Sequence, residues 1–168
     1  MIPDSAVTLR PATGEDRFRI RRWLSSPAAL AWWGTASTVE AEISLATGSS
    51  AALCRMAENG SKPVAYAQAV ETGLWNEERS PEVVPGTWHL AYLPASEEAD
   101  ATGTASAVLA LLAEEVFATT LALACSATVS VTNEAAARAC ERAGFRWQRI
   151  WSDRLLGPSW LMLKQRPR

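Results

Sequence analysis

The sequence has 168 residues, of which 48% are hydrophobic and 20% charged, with 9 glycines and 9 prolines. That length predicts a single domain over residues 1–168, and the balance excludes a disordered, collagen-like or low-complexity chain. The net charge of −2 gives no electrostatic support for a nucleic-acid partner. Three cysteines without metal-ligand spacing and a single histidine argue against a bound metal ion.

The location of the protein is predicted from segments that the sequence lacks. No run approaches the ~18 apolar residues that a membrane helix needs, and residues 1–10 hold no apolar stretch of signal-peptide length. The odd number of cysteines also argues against a closed set of disulfides. We therefore expect a cytoplasmic protein without a membrane partner.

The N-terminal half is predicted to begin with a strand and two helices. The first helix alternates apolar side chains with arginines, and Pro27 is expected to break it. Asn59-Gly60 lies between two apolar runs and is a hairpin signal, so paired strands are expected on either side of it. The predicted elements are a strand at 6–10, helices at 15–24 and 39–46, and strands at 51–57 and 64–71.

The C-terminal half is predicted to alternate strands and helices after a polar loop. Val108, Leu112 and Val116 recur at helical spacing, while Asn133 and Gly144 are typical of the two ends of a further helix. This order predicts a mixed α/β (α+β) layered sheet rather than a doubly wound repeat of βαβ units. The predicted elements are a loop at 74–85, strands at 88–93 and 121–131, helices at 105–118 and 133–143, and strands at 146–152 and 159–165.

Small residues open the predicted helix at 105–118. A helix N-terminus of this kind leaves backbone N–H groups pointing at one spot, which makes an anion site suited to a pyrophosphate. The alternative is an ordinary capped helix with a glycine before it. Glu97, Glu98 and Asp100 lie just upstream, and their charge would oppose a phosphate unless they face away. The residues of the candidate site are Thr102, Gly103, Thr104, Ala105 and Ser106.

Several stretches resemble the motifs of the GNAT superfamily, the acyl-CoA-dependent N-acyltransferases. The run from Asn133 through Cys140 to Glu141-Arg142-Ala143-Gly144-Phe145 resembles its C-terminal motif, and Asp100-x-x-Gly103-x-Ala105 is similar to its phosphate loop. More narrowly, five short stretches in order resemble the aminoglycoside 6′-N-acetyltransferases and their siderophore-acylating relatives. They are Val7-Thr8-Leu9-Arg10, Trp23-Leu24, Trp32-Trp33-Gly34, Pro63-Val64-Ala65-Tyr66-Ala67-Gln68, and Trp75 followed by Glu77-Glu78 and Gly86.

The resemblance implies a fold and a co-substrate, acetyl-CoA. The expected fold is a mostly antiparallel central sheet with helices on both faces, in which parallel strands at 88–93 and 121–131 splay apart. The pantetheine arm would lie in that gap, and the acetyl group would pass by direct attack to a primary amine of a small, cationic, aminoglycoside-like acceptor. The residues then expected to bind the coenzyme are Ala91, Tyr92, Leu93, Thr102, Gly103, Thr104, Ala105, Ser106 and Asn133.

Catalysis of this kind requires an ammonium group to lose a proton and a leaving thiolate to gain one. Trp88 stands where the aminoglycoside branch has an acidic base, so the adjacent His89 is predicted to be the base, with a structural histidine as the alternative. Cys140 stands where many members have a tyrosine and is predicted to protonate the thiolate, unless it is a buried apolar side chain. Asp153 is predicted to hold the ammonium, unless it is a solvent-facing turn residue.

The acceptor pocket is predicted from aromatic and acidic side chains. Trp32, Trp33 and Trp75 are three of eight tryptophans and are expected to wall the pocket, since aromatic faces bind cations and sugar rings. Core packing is the alternative for these side chains. Glu77, Glu78 and Glu82 form an acidic rim that would attract a cationic acceptor, with a solvated loop as the alternative.

Two other functions stay open from the sequence. The first is acylation of a hydroxylated amine or siderophore precursor, with a longer acyl donor. The second is a catalytically degenerate GNAT domain kept as a binding module, which Asp100, the absent tyrosine and the absent acidic base favour. Both a monomer and a homodimer fit the sequence.

Overall fold

Seven strands form one sheet in the part of the chain that the structure, a computed structural model, describes: residues 7–34, 36–75, 85–97, 103–153 and 155–168. The strands are β1 (Val7–Pro11), β2 (Ala52–Asn59), β3 (Lys62–Glu71), β4 (Thr87–Pro94), β5 (Ala124–Ser130), β6 (Arg146–Asp153) and β7 (Gly157–Gln165). They lie in the order β1-β2-β3-β4-β5-β7-β6, and every neighbouring pair is antiparallel except β4 and β5.

Six helices accompany the sheet within the described residues. They are α1 (Arg17–Trp23), which follows a 3-10 turn at Gly14–Asp16, α2 (Pro27–Trp32), α3 (Ala36–Thr47), α4 (Thr72–Trp75), α5 (Thr104–Thr119) and α6 (Glu134–Arg142). Val108, Leu112 and Val116 of α5 are fully buried, so the apolar spacing seen in the sequence is what seats this helix on the sheet. None of the described helices is long and apolar enough to cross a membrane.

Strand β4 separates two cores because neighbouring side chains along a strand point to opposite faces of a sheet. Trp88 and Tyr92 belong to a buried cluster with α5 and α6, and we name this side the α5 face. Leu93 belongs to a second cluster with residues of α1 and α3, on the side that we name the α1 face. His89 lies an even number of residues from Leu93 and therefore shares the α1 face.

The parallel pair β4–β5 is short and then opens. Its register contains three rungs, which join Thr87 through His89 to Ala124 through Ser126. Strand β4 continues to Pro94, paired with β3 on its other edge, while β5 continues to Ser130, paired with β7. Past His89 the register holds no further rung between the described parts of β4 and β5, so the two strands splay apart.

The predicted fold class is confirmed, since the sheet is mostly antiparallel, has one parallel pair and carries helices on both faces. Helix α2 is not among the elements predicted from the sequence. Pro27 was expected only to break a helix, but it stands in the first turn of α2, where its missing N–H costs no hydrogen bond. Ser26 caps this helix by accepting a hydrogen bond from the Ala29 amide at 3.1 Å.

Several predicted boundaries also differ from the structure. The strand predicted at 121–131 begins only at Ala124, because the preceding residues form the turn out of α5. Arg166 stabilises that turn, since its guanidinium donates to the carbonyl oxygens of Phe117, Thr120 and Ala122. Most of the loop predicted at 74–85 lies outside the described residues.

Candidate active site

His89 lies at the last rung of the parallel pair, where β4 and β5 begin to diverge. Its rung partner is Ser126, and the imidazole Nδ1 is 3.0 Å from the Ser126 Oγ. Ser126 is only 1% exposed, whereas His89, taken as a whole residue, is partly exposed. On the other edge of β4 the neighbour is Val70 of β3, which is apolar. The ring is therefore held from its Nδ1 side at the vertex of the splay.

Two opposing effects act on the protonation of His89. Burial lowers its pKa below the ordinary value of 6.5, because a charged imidazolium is poorly solvated there. The carboxylate of Asp153 raises the same pKa, but this effect is the smaller one. The imidazole is consequently neutral at neutral pH and able to accept a proton.

Asp153 organises the turn between β6 and β7. Its Oδ1 accepts hydrogen bonds from the amides of Leu155 and Leu156, at 2.8 and 2.9 Å. The turn role weighed in the sequence analysis is thus present, and the carboxylate also acts on His89 through its charge. The turn touches the segment after α2, where a Cβ on Gly34 would lie 2.9 Å from the Leu155 Cβ.

The two adjacent tryptophans of the predicted pocket wall are both buried. Trp33 stacks on Tyr66, with ring centroids 6.2 Å apart and planes 10° apart, and its Nε1 donates to Glu42 at 3.3 Å. Trp32 points to the other core and meets Tyr92 edge-on at 4.8 Å. Core packing, the alternative weighed for these side chains, therefore describes their contacts in this structure.

A buried polar chain lies beneath Trp33 on the α1 face. The Tyr66 hydroxyl donates to the Gln68 Oε1 at 2.8 Å, and the Gln68 Nε2 donates to the Glu42 Oε1 at 3.4 Å. Because Glu42 also accepts the Trp33 indole N–H, this chain joins α3 and β3 to the end of α2. Burial raises the pKa of Tyr66, so its hydroxyl stays protonated.

Cys140 lies on the inner side of α6, fully buried in the cluster of the α5 face. Burial raises the pKa of its thiol to about 12, and the charge of Glu141 acts in the same direction. Such a thiol stays protonated over the neutral range and is a weak acid. These properties favour the packing alternative over a part in proton transfer.

The described residues predicted to bind the coenzyme lie on β4 past its last rung with β5, at the start of α5 and at the start of α6. Residues 91–93 occupy β4 past its last rung with β5. Gly103 precedes α5 in a left-handed conformation, with φ of +81°, and its carbonyl accepts the Ala107 amide at 3.3 Å. Residues 104–106 therefore form the first turn of α5, where the backbone N–H groups point out of the start of the helix.

Asn133 links the start of α6 to α2. Its Oδ1 accepts the Ala136 amide at 3.2 Å and so caps α6, as predicted from the sequence. Its Nδ2 donates to the Ala31 carbonyl of α2 at 3.4 Å. The start of α6 is thereby connected to the end of α2.

Five of the predicted site residues cannot be placed. Thr102, Glu77, Glu78 and Glu82 lie outside the described residues, and only the backbone of Trp75 is described, at the end of α4. Within the described ranges, no group of three or more His, Cys, Asp or Glu side chains is placed to hold a metal ion.

Ser126 and the contact between Gly34 and Leu155 are not predicted from the sequence. Ser126 stands between the buried residues Cys125 and Ala127 in an apolar strand. Its position was a signal in the sequence, because a buried hydroxyl needs a hydrogen-bond partner. The pairing itself could not be read from sequence, since it depends on the register of two strands 37 residues apart.

Comparisons with known proteins agree with this geometry. A model of the acetyltransferase (GNAT) domain family matches residues 13–152. Comparison with curated protein sequences gives no match.

Two solved structures of aminoglycoside acetyltransferase AAC(6')-Ib are similar. The complex with paromomycin and acetyl-CoA shares 26% identity over 96% of this chain and 94% of that one, with a TM-score of 0.77. The complex with coenzyme A and kanamycin shares 25% identity over 95% of each chain, with a TM-score of 0.76.

A more distant likeness shows the fold alone. Spermidine N-acetyltransferase from Vibrio cholerae, in complex with CoA and spermine, is 14% identical over 96% of each chain, with a TM-score of 0.75. The family match covers most of the chain, and the fold and the splayed strand pair agree with it. The chain therefore belongs to the GNAT acetyltransferase family and is an N-acetyltransferase.

Proposed function

We propose that this protein transfers an acetyl group from acetyl-CoA to the primary amine of a small, cationic acceptor by direct attack. The observation that carries the proposal is the position of His89, a neutral and partly exposed base where β4 and β5 diverge. The similar solved structures contain aminoglycosides in one case and spermine in the other. These ligands carry several amino groups, which supports an acceptor of the same chemical class.

The chain has suitable groups for the coenzyme at two places. Past His89, the β5-facing edge of β4 has no rung to the described part of β5, which suits backbone pairing of an extended pantetheine arm with residues 91–93. The turn at Gly103, the first turn of α5 at 104–106 and the start of α6 at Asn133 suit the pyrophosphate end. Bound there, acetyl-CoA supplies the acetyl thioester.

His89 is the proposed base. An ammonium group becomes nucleophilic only when it loses a proton, so the acceptor needs a basic group within reach. Burial keeps the imidazole neutral, and the contact with the buried Ser126 is made at Nδ1, not at Nε2. The negative charge of Asp153 favours the imidazolium that forms, and the same charge would hold the ammonium before it reacts.

The remaining proposed roles rest on the family resemblance. Cys140 occupies the position of the family's tyrosine, where the resemblance implies that it returns a proton to the leaving thiolate. Its complete burial and raised pKa support the packing alternative instead, so its replacement is a direct test. For the acceptor, the aromatic wall remains a proposal for Trp32, Trp33 and Trp75, and the acidic rim for Glu77, Glu78 and Glu82.

We also place the protein in the cytoplasm. Its three cysteines, Cys54, Cys125 and Cys140, are free and buried, which suits a reducing compartment. Acetyl-CoA is available there as a co-substrate.

The test is a coupled measurement of acetyl transfer and thiol release. Acetyl-CoA would be incubated with kanamycin, paromomycin and spermine, and acetylated amine would be detected by mass spectrometry. We expect turnover of at least one amine, and a fall in kcat/KM of about 10²–10⁴ for His89→Ala, the usual contribution of a general base. Thr119→Ala, at the exposed end of α5, is the control and should retain wild-type rates.

The same assay separates the alternatives. Turnover only with succinyl-CoA or a medium-chain acyl-CoA and a hydroxylated amine would indicate the siderophore-type reaction. Stabilisation of the protein by acetyl-CoA without turnover of any amine would indicate a degenerate binding module. Equal rates for His89→Ala and the wild type would contradict the proposed base.

A further inference from the structure

The contact between His89 and Ser126 has a chemical consequence for the base. We propose that Ser126 is a positioning residue: its Oγ accepts a hydrogen bond from Nδ1–H of His89, which holds the Nδ1–H tautomer and leaves the Nε2 lone pair for the acceptor. The inference rests on the proposed function of His89 as the base. The two atoms are 3.0 Å apart, within the range for a direct hydrogen bond.

The position of Ser126 makes this contact specific. It lies on the last rung of the parallel pair, so the backbone register fixes it directly beside His89 on the same face. Its side chain is 1% exposed, so water does not readily replace the contact. On the other edge of β4, the residue paired with His89 is Val70 of β3, whose side chain offers no hydrogen bond.

A hydroxyl suits a base that gains and loses a proton. Both the neutral Nδ1–H tautomer and the imidazolium carry a hydrogen on Nδ1, so the same bond to Oγ persists when Nε2 takes the proton. If Ser126 donated to Nδ1 instead, Nε2 would carry the hydrogen and could not act as the base. The arrangement thus keeps the ring still during proton transfer, which a positioned base requires.

The single histidine makes the tautomer directly measurable. With ¹⁵N-labelled histidine, the two ring nitrogens of His89 give the only imidazole signals of the protein, free of any other histidine. In the wild type at neutral pH we expect a protonated, pyrrole-type Nδ1 and an unprotonated, pyridine-type Nε2. Ser126→Ala should shift the populations toward the Nε2–H tautomer, and Ser126→Thr, which retains a hydroxyl, should restore the wild-type signals.

A matched variant separates this effect from general damage to the strand. Ser130→Ala removes a hydroxyl from the same strand and face, where it contacts Thr132 rather than His89. Its histidine signals should match the wild type. With the best amine, Ser126→Ala should lower kcat about tenfold and change KM less than about twofold, since the base and not the acceptor site is disturbed. Ser126→Thr should recover most of the loss.

The outcomes distinguish this inference from the function on which it rests. An Nε2–H tautomer in the wild type, or unchanged signals in Ser126→Ala, would overturn the positioning role even if the enzyme acetylates amines. A wild type with the expected tautomer but no turnover of any amine would overturn the proposed function instead. If Ser126→Ala and Ser130→Ala lose activity equally, the role of Ser126 is structural and the inference fails.

Discussion

Gly34 and Leu155 meet across the α1 face at a distance that admits no side chain on the glycine. A Cβ built on Gly34 would lie 2.9 Å from the Leu155 Cβ, and Gly34 has a φ of +124°. Leu155 belongs to the turn that Asp153 organises, while Gly34 directly follows the tryptophan that packs on Tyr66. The contact therefore joins the end of α2 to the β6–β7 turn. The carboxylate of Asp153, at the start of this turn, is the charge that acts on His89.

Gly34→Ala should destabilise the protein and disturb this junction. The left-handed φ strains any L side chain, and the Leu155 Cβ cannot move without its backbone, so we expect a loss of about 1–3 kcal/mol in the free energy of unfolding. Gly48→Ala is the control, because Gly48 has an ordinary φ and only ordinary contacts around the added Cβ. Denaturant unfolding measures the stability of both variants. Equal free energies of unfolding for Gly34→Ala and Gly48→Ala would contradict the tight contact.

Asp153→Asn should lower the pKa of His89. The amide oxygen can still accept the amides of Leu155 and Leu156, but the negative charge that raises the His89 pKa is lost. Burial, which lowers this pKa, then acts unopposed by Asp153. Titration of the single histidine by NMR measures the shift, and the acidic limb of kcat/KM should move to lower pH with it.

A control for this variant is available on the far side of the sheet. Glu115→Gln removes a carboxylate that pairs with Arg55 and is not among the charges that act on His89. The histidine pKa should be unchanged there. An unchanged or raised pKa in Asp153→Asn would show that the carboxylate does not act on the ring as described.

The lowered pKa of His89 should also make stability depend on pH. Its folded pKa lies below the ordinary 6.5, so between the two values the unfolded chain holds a proton that the folded protein lacks. The free energy of unfolding should therefore be fully retained above pH 6.5 and fall as the pH drops through that window toward the folded pKa. His89→Asn should lack this dependence, which urea unfolding at a series of pH values would reveal. A parallel decline in both proteins would assign the effect to other groups.

The sequence predicts the layers of this fold well because its local signals are strong. Apolar spacing at Val108, Leu112 and Val116 places α5, and the Asn-Gly turn places the β2–β3 hairpin. The sequence prediction lacks α2 because a proline can either break a helix or stand in its first turn. Only the preceding Ser26, a possible N-cap, indicates that Pro27 begins a helix.

The candidate site is less predictable because its contacts join distant segments. His89 stands out in the sequence as the only histidine, but its partner Ser126 becomes visible only when the parallel register is known. Trp32 and Trp33 are adjacent in sequence and resemble a pocket wall, yet they pack into different cores. Composition and motif cannot distinguish an aromatic side chain that lines a pocket from one that fills a core, because both need the same apolar surface.

Cys140→Ala should change stability more than catalysis. The thiol is fully buried against the sheet and its pKa is raised to about 12, so it is poorly suited to give up a proton in the neutral range. We expect kcat within about twofold of the wild type. The small cavity should lower the free energy of unfolding by about 1–2 kcal/mol. Cys125→Ala, also fully buried with a pKa raised to about 12, is the matched control for the packing effect. The contrary result would be a fall in kcat of tenfold or more in Cys140→Ala, with no such fall in Cys125→Ala and no matching loss of stability in Cys140→Ala. That result would assign the leaving-group proton to Cys140.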